Sequence, residues 1–395
     1  MGEKATLPAI TKLRESPLFN LSLSSQELFH SNFLYWIANN YKKEFGELFA
    51  PYLKEMPNDL TIKNIYREKK NIDLSFTYSN GQEVFIENKV KSMPYIRQLE
   101  NYSEKNPKYN YILLSLSKPS FFDDADNDGK QSSIIEIAGV EWQYLSYTVL
   151  RDMLAELSSK IKDKVNINEK EKYHFQVIND YCTFIDGLIE VNEYCDLKSD
   201  DVFNFHSIKE DEIYKQLESI RIHDFYLKKK YELLVYEVYK ELKNRGKYLT
   251  PFSAHLDWKN AKPNTIYMNY GMTRSQGIMD LKYFISDEVL LGIQIQGDQY
   301  RMVIEDSDNK TANKLKDKLN SEENKLWFGF TSFPDGFESI KKVYPQQKGK
   351  VFNKFGKNFF YKSVKLGTDL KIKEIIDVIL LDVEKIESNF EEMRK

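Results

Sequence analysis

Residues 66–102 read YREKKNIDLSFTYSNGQEVFIENKVKSMPYIRQLENY, and the order of polar and apolar residues in this stretch decides the fold. Ile72, Leu74, Phe76 and Tyr78 alternate with Asp73, Ser75 and Thr77. Val84, Ile86 and Val90 alternate with Glu83, Glu87 and Lys89. Alternation at period two predicts two strands, each with a buried apolar face and a polar face. Ser79-Asn80-Gly81 between them predicts a hairpin. Its loop length follows from the pattern. A two-residue Asn80-Gly81 loop would pair Ser79 with Gln82 and put Ile72, Leu74 and Phe76 on the face of Glu83, Glu87 and Lys89. A slip of one residue moves every side chain to the other face, so that register wastes the apolar stripe. A three-residue loop with Gly81 in the left-handed conformation pairs Tyr78 with Gln82. Asp73 then lies opposite Glu87, and Lys89 points the same way two residues on.

Two carboxylates facing each other on neighbouring strands repel. A divalent cation removes that penalty, and carboxylate, water and phosphate oxygens suit Mg²⁺ or Mn²⁺. Such an ion acidifies water and holds a phosphate oxygen. Lys89 beside it can orient or deprotonate that water, or offset charge in the transition state. The chemistry implied is metal-assisted hydrolysis of a phosphodiester.

Asp73 followed by Glu87-x-Lys89 on the next strand resembles the PD-(D/E)XK nuclease superfamily, although Ile72 stands where the name has Pro. Gln98 and Tyr102 resemble the Gln-x-x-x-Tyr motif of RecB-like members, and at i,i+4 they share one helix face. The resemblance covers about residues 20–190. It implies that Asp73, Glu87 and the main-chain carbonyl of Asn88 bind the metal, that Lys89 acts on the nucleophilic water, and that Gln98 and Tyr102 hold substrate or order the site. It also implies DNA as substrate, with RNA the close alternative, and a bacterial restriction or phage-defence setting. A catalytically inactive nucleic-acid-binding module is the competing class.

Working outward, Ser24-x-x-Glu27 reads as a capping box opening a helix from Ser24 towards Tyr41, with Phe29, Phe33, Trp36 and Ile37 as its apolar face. Glu27 is either that cap or a further carboxylate for the metal, as a first-helix acid is in some relatives. His30, one turn on, reads as structural. Residues 1–23 read as a loosely ordered entry. Leu60–Lys69 reads as the first strand, with Glu68 a solvated charge at its end or an optional ligand. A helix is expected over Met93–Asn106, Pro94 in its first turn and Asn106-Pro107 as its stop. Tyr109–Ser117 is a central strand, Glu141–Leu145 another, and helices follow at about 147–163 and 170–190. DDADNDGK, at 123–130, puts no carboxylate at the twelfth position of a calcium loop and reads as an acidic surface loop. Helix, three strands, helix and strand are the order of a restriction-endonuclease-like α/β/α core with a mixed sheet.

Periodicity is lost over residues 192–212, which places a boundary there: a nuclease-like domain over 1–200 and a C-terminal α+β domain over 201–395, for substrate selection, dimerisation or sensing. The second half opens with one helical stretch over 211–245 carrying Arg221, His223, Lys228, Lys229 and Lys230, read as a solvated face or a phosphate-tracking one. An antiparallel meander follows at Thr265–Tyr270, Asp280–Ile285, Val289–Gln296 and Tyr300–Glu305. His255-Leu256-Asp257 has no third partner and is assigned nothing. A last helix over 369–392 carries a short heptad seam from Ile372 to Phe390, packed within its domain or against a second copy in a homodimer.

The chain has 395 residues and a net charge of −3, not the basic balance of a dedicated nucleic-acid binder, so the distribution of charge has to carry any such role. No run of eighteen apolar residues predicts a membrane span. The opening MGEKATLPAITKLRE has no signal-peptide core, and Cys182 and Cys195 lack metal or redox spacing, so a reduced cytoplasmic protein is expected. No Walker A, dinucleotide, zinc-protease or nucleophile-elbow motif stands in usable context.

Overall fold

The computed structural model describes residues 7–22, 26–122, 133–163, 167–198, 200–203, 212–250, 252, 256, 262–307, 315–316, 328–333, 343–344, 352–367 and 370–388. The chain divides into two compact units, Met1–Asp196 with Gln216–Tyr226, and Leu197–Lys215 with Leu227–Lys395. The acidic 123–130 loop, Ser24, His255, Asp257 and Phe390 lie outside the described residues.

The first unit is a mixed sheet with helices. Its elements are α1 (Pro8–Glu15), α2 (Pro17–Ser22), α3 (Gln26–Asn40), α4 (Lys42–Phe49), β1 (Ile62–Lys69), β2 (Ile72–Tyr78), β3 (Glu83–Lys89), α5 (Ile96–Lys105), β4 (Asn110–Ser115), β5 (Ile134–Ile137), β6 (Val140–Ser146), α6 (Tyr147–Lys162) and α7 (Glu169–Tyr194). The sheet order is β1-β2-β3-β4-β6-β5. β3, β4 and β6 run parallel, whereas β1, β2 and β5 join antiparallel.

The central hairpin adopts the three-residue register. The Tyr78 amide donates to Gln82 O at 2.9 Å and the Gly81 amide to Tyr78 O at 3.1 Å. Gly81 has φ +89°, the left-handed conformation that glycine adopts without steric cost. The ladder runs from Thr77 opposite Glu83 to Leu74 opposite Ile86, so Asp73 and Glu87 are the next facing positions.

Several expectations need correction. The entry is helical: Pro8 and Pro17 each open a helix where a missing N–H costs nothing, and Ile10, Leu13 and Phe19 are buried, Phe19 against Phe184 of α7. Pro94 lies outside α5, because Tyr95 is extended (φ −109°, ψ 133°) and caps it. β5 was not expected; Ala138 (φ 50°) and Gly139 (φ 74°) form the two-residue turn that folds it back on β6. The Asp73 and Glu87 face of the sheet is not left to solvent. Phe85 shares it and stacks on Tyr109 at 4.3 Å, Tyr111 stacks on Trp142 at 4.5 Å, and α5 docks above through Trp142 Nε1–H donating to Ser103 Oγ at 2.9 Å.

In the second unit β7 (Ile266–Thr273), β8 (Gln276–Phe284), β9 (Val289–Gln296) and β10 (Gln299–Asp306) form the expected meander. It is extended by β11 (Val343–Tyr344), β12 (Asn353–Phe355) and β13 (Phe359–Lys365), which the reading missed, in the order β11-β13-β10-β9-β8-β7 with β12 paired to β13. The stretch over 211–245 is two helices, α8 (Glu212–Glu218) and α9 (His223–Asn244), parted where Arg221 takes φ 57°. Lys230 on α9 is buried, its ammonium over the Phe203 ring, so it does not belong to a solvated basic face. The last helix, α10 (Ile372–Ser388), buries Ile372, Ile376, Ile379, Val383 and Ile386 within its own unit. Tyr300 of β10 donates to Asp382 Oδ2 of α10 at 2.6 Å. Among the described residues no helix is long and apolar enough to cross a membrane.

Candidate active site

Three elements bring the motif residues together. β2 supplies Asp73, β3 supplies Glu87, Asn88 and Lys89, and α5 supplies Gln98 and Tyr102. The Asn88 amide donates to Asp73 Oδ2 at 2.8 Å, which locks that carboxylate across the strand pair. Lys89 Nζ lies 2.7 Å from Glu87 Oε1. Gln98 Nε2 donates to the same oxygen at 2.7 Å and to the Tyr102 hydroxyl at 3.0 Å, and that hydroxyl donates to Asn71 O at 2.7 Å. The i,i+4 pair on α5 therefore ties Glu87 to the β1–β2 turn.

Burial sets the electrostatics. Glu87 is only 2% exposed, and desolvation pushes its carboxyl up to about 7 against the pull of Lys89. Asp73 is also raised, by burial first, with the Asn88 amide and Lys89 opposing. Lys89 is desolvated too, yet the charge and hydrogen bond of Glu87, with Glu27 and Asp73 adding, raise it above its ordinary value. Burial, then the Glu87 charge, raise the Tyr102 hydroxyl. Glu87 Oε2 is buried with no hydrogen-bond partner among the described residues.

That orphaned oxygen is the test of whether a metal fits. A buried carboxylate oxygen without a donor costs free energy unless something completes its shell. Asp73 and Glu87 offer hard oxygen ligands of the kind Mg²⁺ or Mn²⁺ takes, so the pair fits a divalent ion. Among the described residues no set of three or more His, Cys, Asp or Glu side chains is arranged to hold one. Main-chain oxygens, water and phosphate would have to complete the shell.

Glu27 stands on α3. Its Oε1 accepts from the Ser92 amide at 2.9 Å and from the Ser92 hydroxyl, which anchors the turn after β3 to α3. Its charge still raises Asp73, Glu87 and Lys89. Glu68, with φ 52° and exposed, adds to the charge felt by Asp73. A cavity of about 340 Å³ lies beside it, lined by Leu28, Asn32, Tyr35, Tyr66, Arg67 and Glu68 among others.

The side chain of Asn88 was missed, since the motif draws attention to its main chain. It is buried, donates from Nδ2 to Glu27 O at 3.1 Å and to Ser31 Oγ at 3.3 Å, and accepts from the Tyr147 hydroxyl at 2.7 Å. Asn88 thus pins β3 to α3 and α6. His30 is structural: fully buried, its Nδ1 lies 2.6 Å from the Tyr181 hydroxyl, and desolvation lowers the ring to about 3, so it stays neutral. We expect Asn88→Ala to lower unfolding stability by roughly 2 kcal/mol, because it strands the buried Tyr147 hydroxyl and removes the Nδ2 bonds to α3. Urea denaturation would read this, and a loss below about 1 kcal/mol would remove Asn88 as the pin.

Residues 18–183 match a family model of the PD-(D/E)XK nuclease superfamily. This segment, which holds β1 to β6 and the residues of the site, is similar to that superfamily, whose members are nucleases. The fold, a mixed α/β sheet with a second antiparallel sheet, agrees with it. No curated protein and no solved structure was found to match the chain.

Proposed function

We propose that the protein is a divalent-metal-dependent nuclease that hydrolyses DNA phosphodiesters at Asp73, Glu87 and Lys89. The observation that carries this reading is the buried Oε2 of Glu87, without a hydrogen-bond partner among the described residues, on the strand position facing Asp73, with Lys89 Nζ 2.7 Å from the other oxygen. Asp73, Glu87 and the Asn88 carbonyl would hold the metal, which supplies Lewis acidity and an acidified water when bound. Gln98 and Tyr102 fix the Glu87 carboxylate in place. Lys89 remains an ammonium beside Glu87, so its part is to donate hydrogen bonds to the attacking water and offset charge on the scissile phosphate, rather than to act as a free base. Arg67 and Asn32 beside Glu68 offer donors to a phosphate backbone. The C-terminal unit would select substrate, sense a trigger or join two copies.

The test is cleavage of plasmid, linear and single-stranded DNA, and of RNA, with Mg²⁺ or Mn²⁺. Lys89→Ala is expected to cut at least about a hundredfold more slowly, in line with loss of one preorganised donor. Cleavage at the wild-type rate in that variant would refute the site. Preference for RNA would move the substrate and leave the site in place. Absence of metal binding, together with absence of cleavage, would favour the inactive binding module.

A further inference from the structure

The C-terminal sheet has two unlike faces. Met279, Leu281, Ile293, Ile295, Met302 and Ile304 are fully buried on one. The other carries Gln294, opposite both Asp280 of β8 and Arg301 of β10. Over this second face lies a cavity of about 960 Å³, at the large end of the range for ligand sites. Its lining includes Arg274, Lys282, Arg301 and Lys357 against a single acid, Glu305, in a chain whose net charge is −3.

Arg301 is the centre of this face. Its Nε–H and Nη2 donate to Gln299 Oε1 at 3.1 and 2.8 Å, and its Nη1 to Gln294 Oε1 and Gln296 Oε1, both at 2.6 Å. Gln294 is itself held by Asp280 at 2.8 Å, and Gln296 by Gln276 at 3.2 Å. The guanidinium Cζ stands 4.8 Å from the Tyr361 ring centre. Among the described residues no carboxylate forms an ion pair with it; neutral amide oxygens aim it, and one of its five N–H groups remains for a ligand. The Asp280 charge reaches Arg301 through Gln294 without pairing with it, and a half-buried cation fixed by amides, with no carboxylate in direct contact among the described residues, is arranged for an anion that arrives from outside.

The rim adds a second kind of contact. Phe355 is 69% exposed at the β12–β13 turn, next to Gly356 and exposed Lys357, and Phe359 lines the wall. At the β7–β8 turn Arg274 (φ 49°) and Ser275 (φ 59°) occupy two left-handed positions where Asn-Gly is the usual choice. The strain places an arginine at the mouth of the cavity. Exposed aromatics interleaved with cations are the chemistry that stacks bases and neutralises phosphates.

We propose that this cavity is a nucleotide site, with phosphate at Arg301, Arg274 and Lys357 and the base stacked on Phe355. The nucleotide unit comes either free or within a single strand. The site does not rest on the nuclease reading, because it lies wholly in the second unit and its test is run without divalent metal.

Binding of fluorescent decathymidylate and of ATP to the full chain would be measured in EDTA over a range of salt. Phe355→Ala is expected to weaken binding about tenfold without changing the salt dependence, as loss of one stacked base does. Lys357→Ala is expected to weaken it and to make the logarithmic salt slope shallower by about 0.7. Both positions are exposed, so the fold is untouched. Tighter binding of the decamer identifies a strand; tighter binding of ATP identifies a free nucleotide. No binding of either at millimolar concentration overturns the proposal, as does binding that neither substitution alters.

Discussion

Glu87→Gln is expected to abolish cleavage and metal binding while making the metal-free protein more stable at pH 8. The sign follows from burial. The folded carboxyl titrates near 7 and the unfolded one near 4.5. Between those values the folded chain keeps a proton that the unfolded chain has lost, so stability falls as pH rises through the window and levels off above it. Each pH unit is worth 1.36 kcal/mol, which makes the ionised Glu87 a burden of about 3 kcal/mol at pH 8. Glutamine keeps the shape and still accepts from Gln98 and Lys89, but carries no charge. Melting in EDTA from pH 5 to 8.5 should show the variant gaining on the wild type as pH rises, by roughly 2–4 °C per kcal/mol for a unit of this size. The histidines are common to both proteins and cancel in the difference. Added Mg²⁺ should stabilise only the wild type, by mass action. Parallel melting curves at all pH values, or equal stabilisation by Mg²⁺, would contradict the assignment.

Gly46→Ala should unfold the first unit or bring it close to unfolding. In an exposed helix interior this substitution stabilises by about 1 kcal/mol. Here the added Cβ would lie 1.8 Å from Leu60 O and 3.2 Å from Tyr78 Cε1. The neighbour is main chain, and it cannot rotate away. Gly46 O also accepts from the Tyr78 hydroxyl at 2.6 Å, so pushing α4 outwards breaks a buried bond. Phe45 and Phe49, on the same helix, pack on Phe76 at 5.5 and 5.6 Å. The cost should exceed about 3 kcal/mol, the upper end for overpacking with side-chain relief alone. A melting temperature at or above the wild-type value would mean that α4 sits away from Leu60.

The hairpin was legible because its two faces differ in polarity and only one register respects that difference. The same pattern hid what mattered for the chemistry. Glu87 looks solvated when β3 is read by alternation, since the aromatics that dry its face, Tyr109, Tyr111 and Trp142, arrive from other strands. The bond from Ser92 to Glu27, sixty-five residues apart, has no local sign in the sequence. β13 joins the sheet through β10, far away in sequence, and β11 and β12 are only two and three residues long, whereas the meander of β7 to β10 is local and was read correctly. Lys230 was grouped with its neighbours by sequence adjacency, although successive helix positions face different directions.

The pinning of β3 by Asn88 has a consequence for the order in which the protein acquires its parts during synthesis. The hairpin contacts are local, and the Asp73 and Glu87 strands can pair as soon as both have emerged. Tyr147, which closes the wall behind Asn88, comes fifty-nine residues later. Long-range contacts form after the local ones because loop closure costs entropy first. A chain ending near residue 105 therefore holds both carboxylates, Lys89 and α5 in a wet, unfastened state. Desolvation, and with it the raised Glu87, arrives only when Tyr109, Tyr111 and Trp142 cover that face, so a ribosome-bound fragment carries the motif before it carries the site.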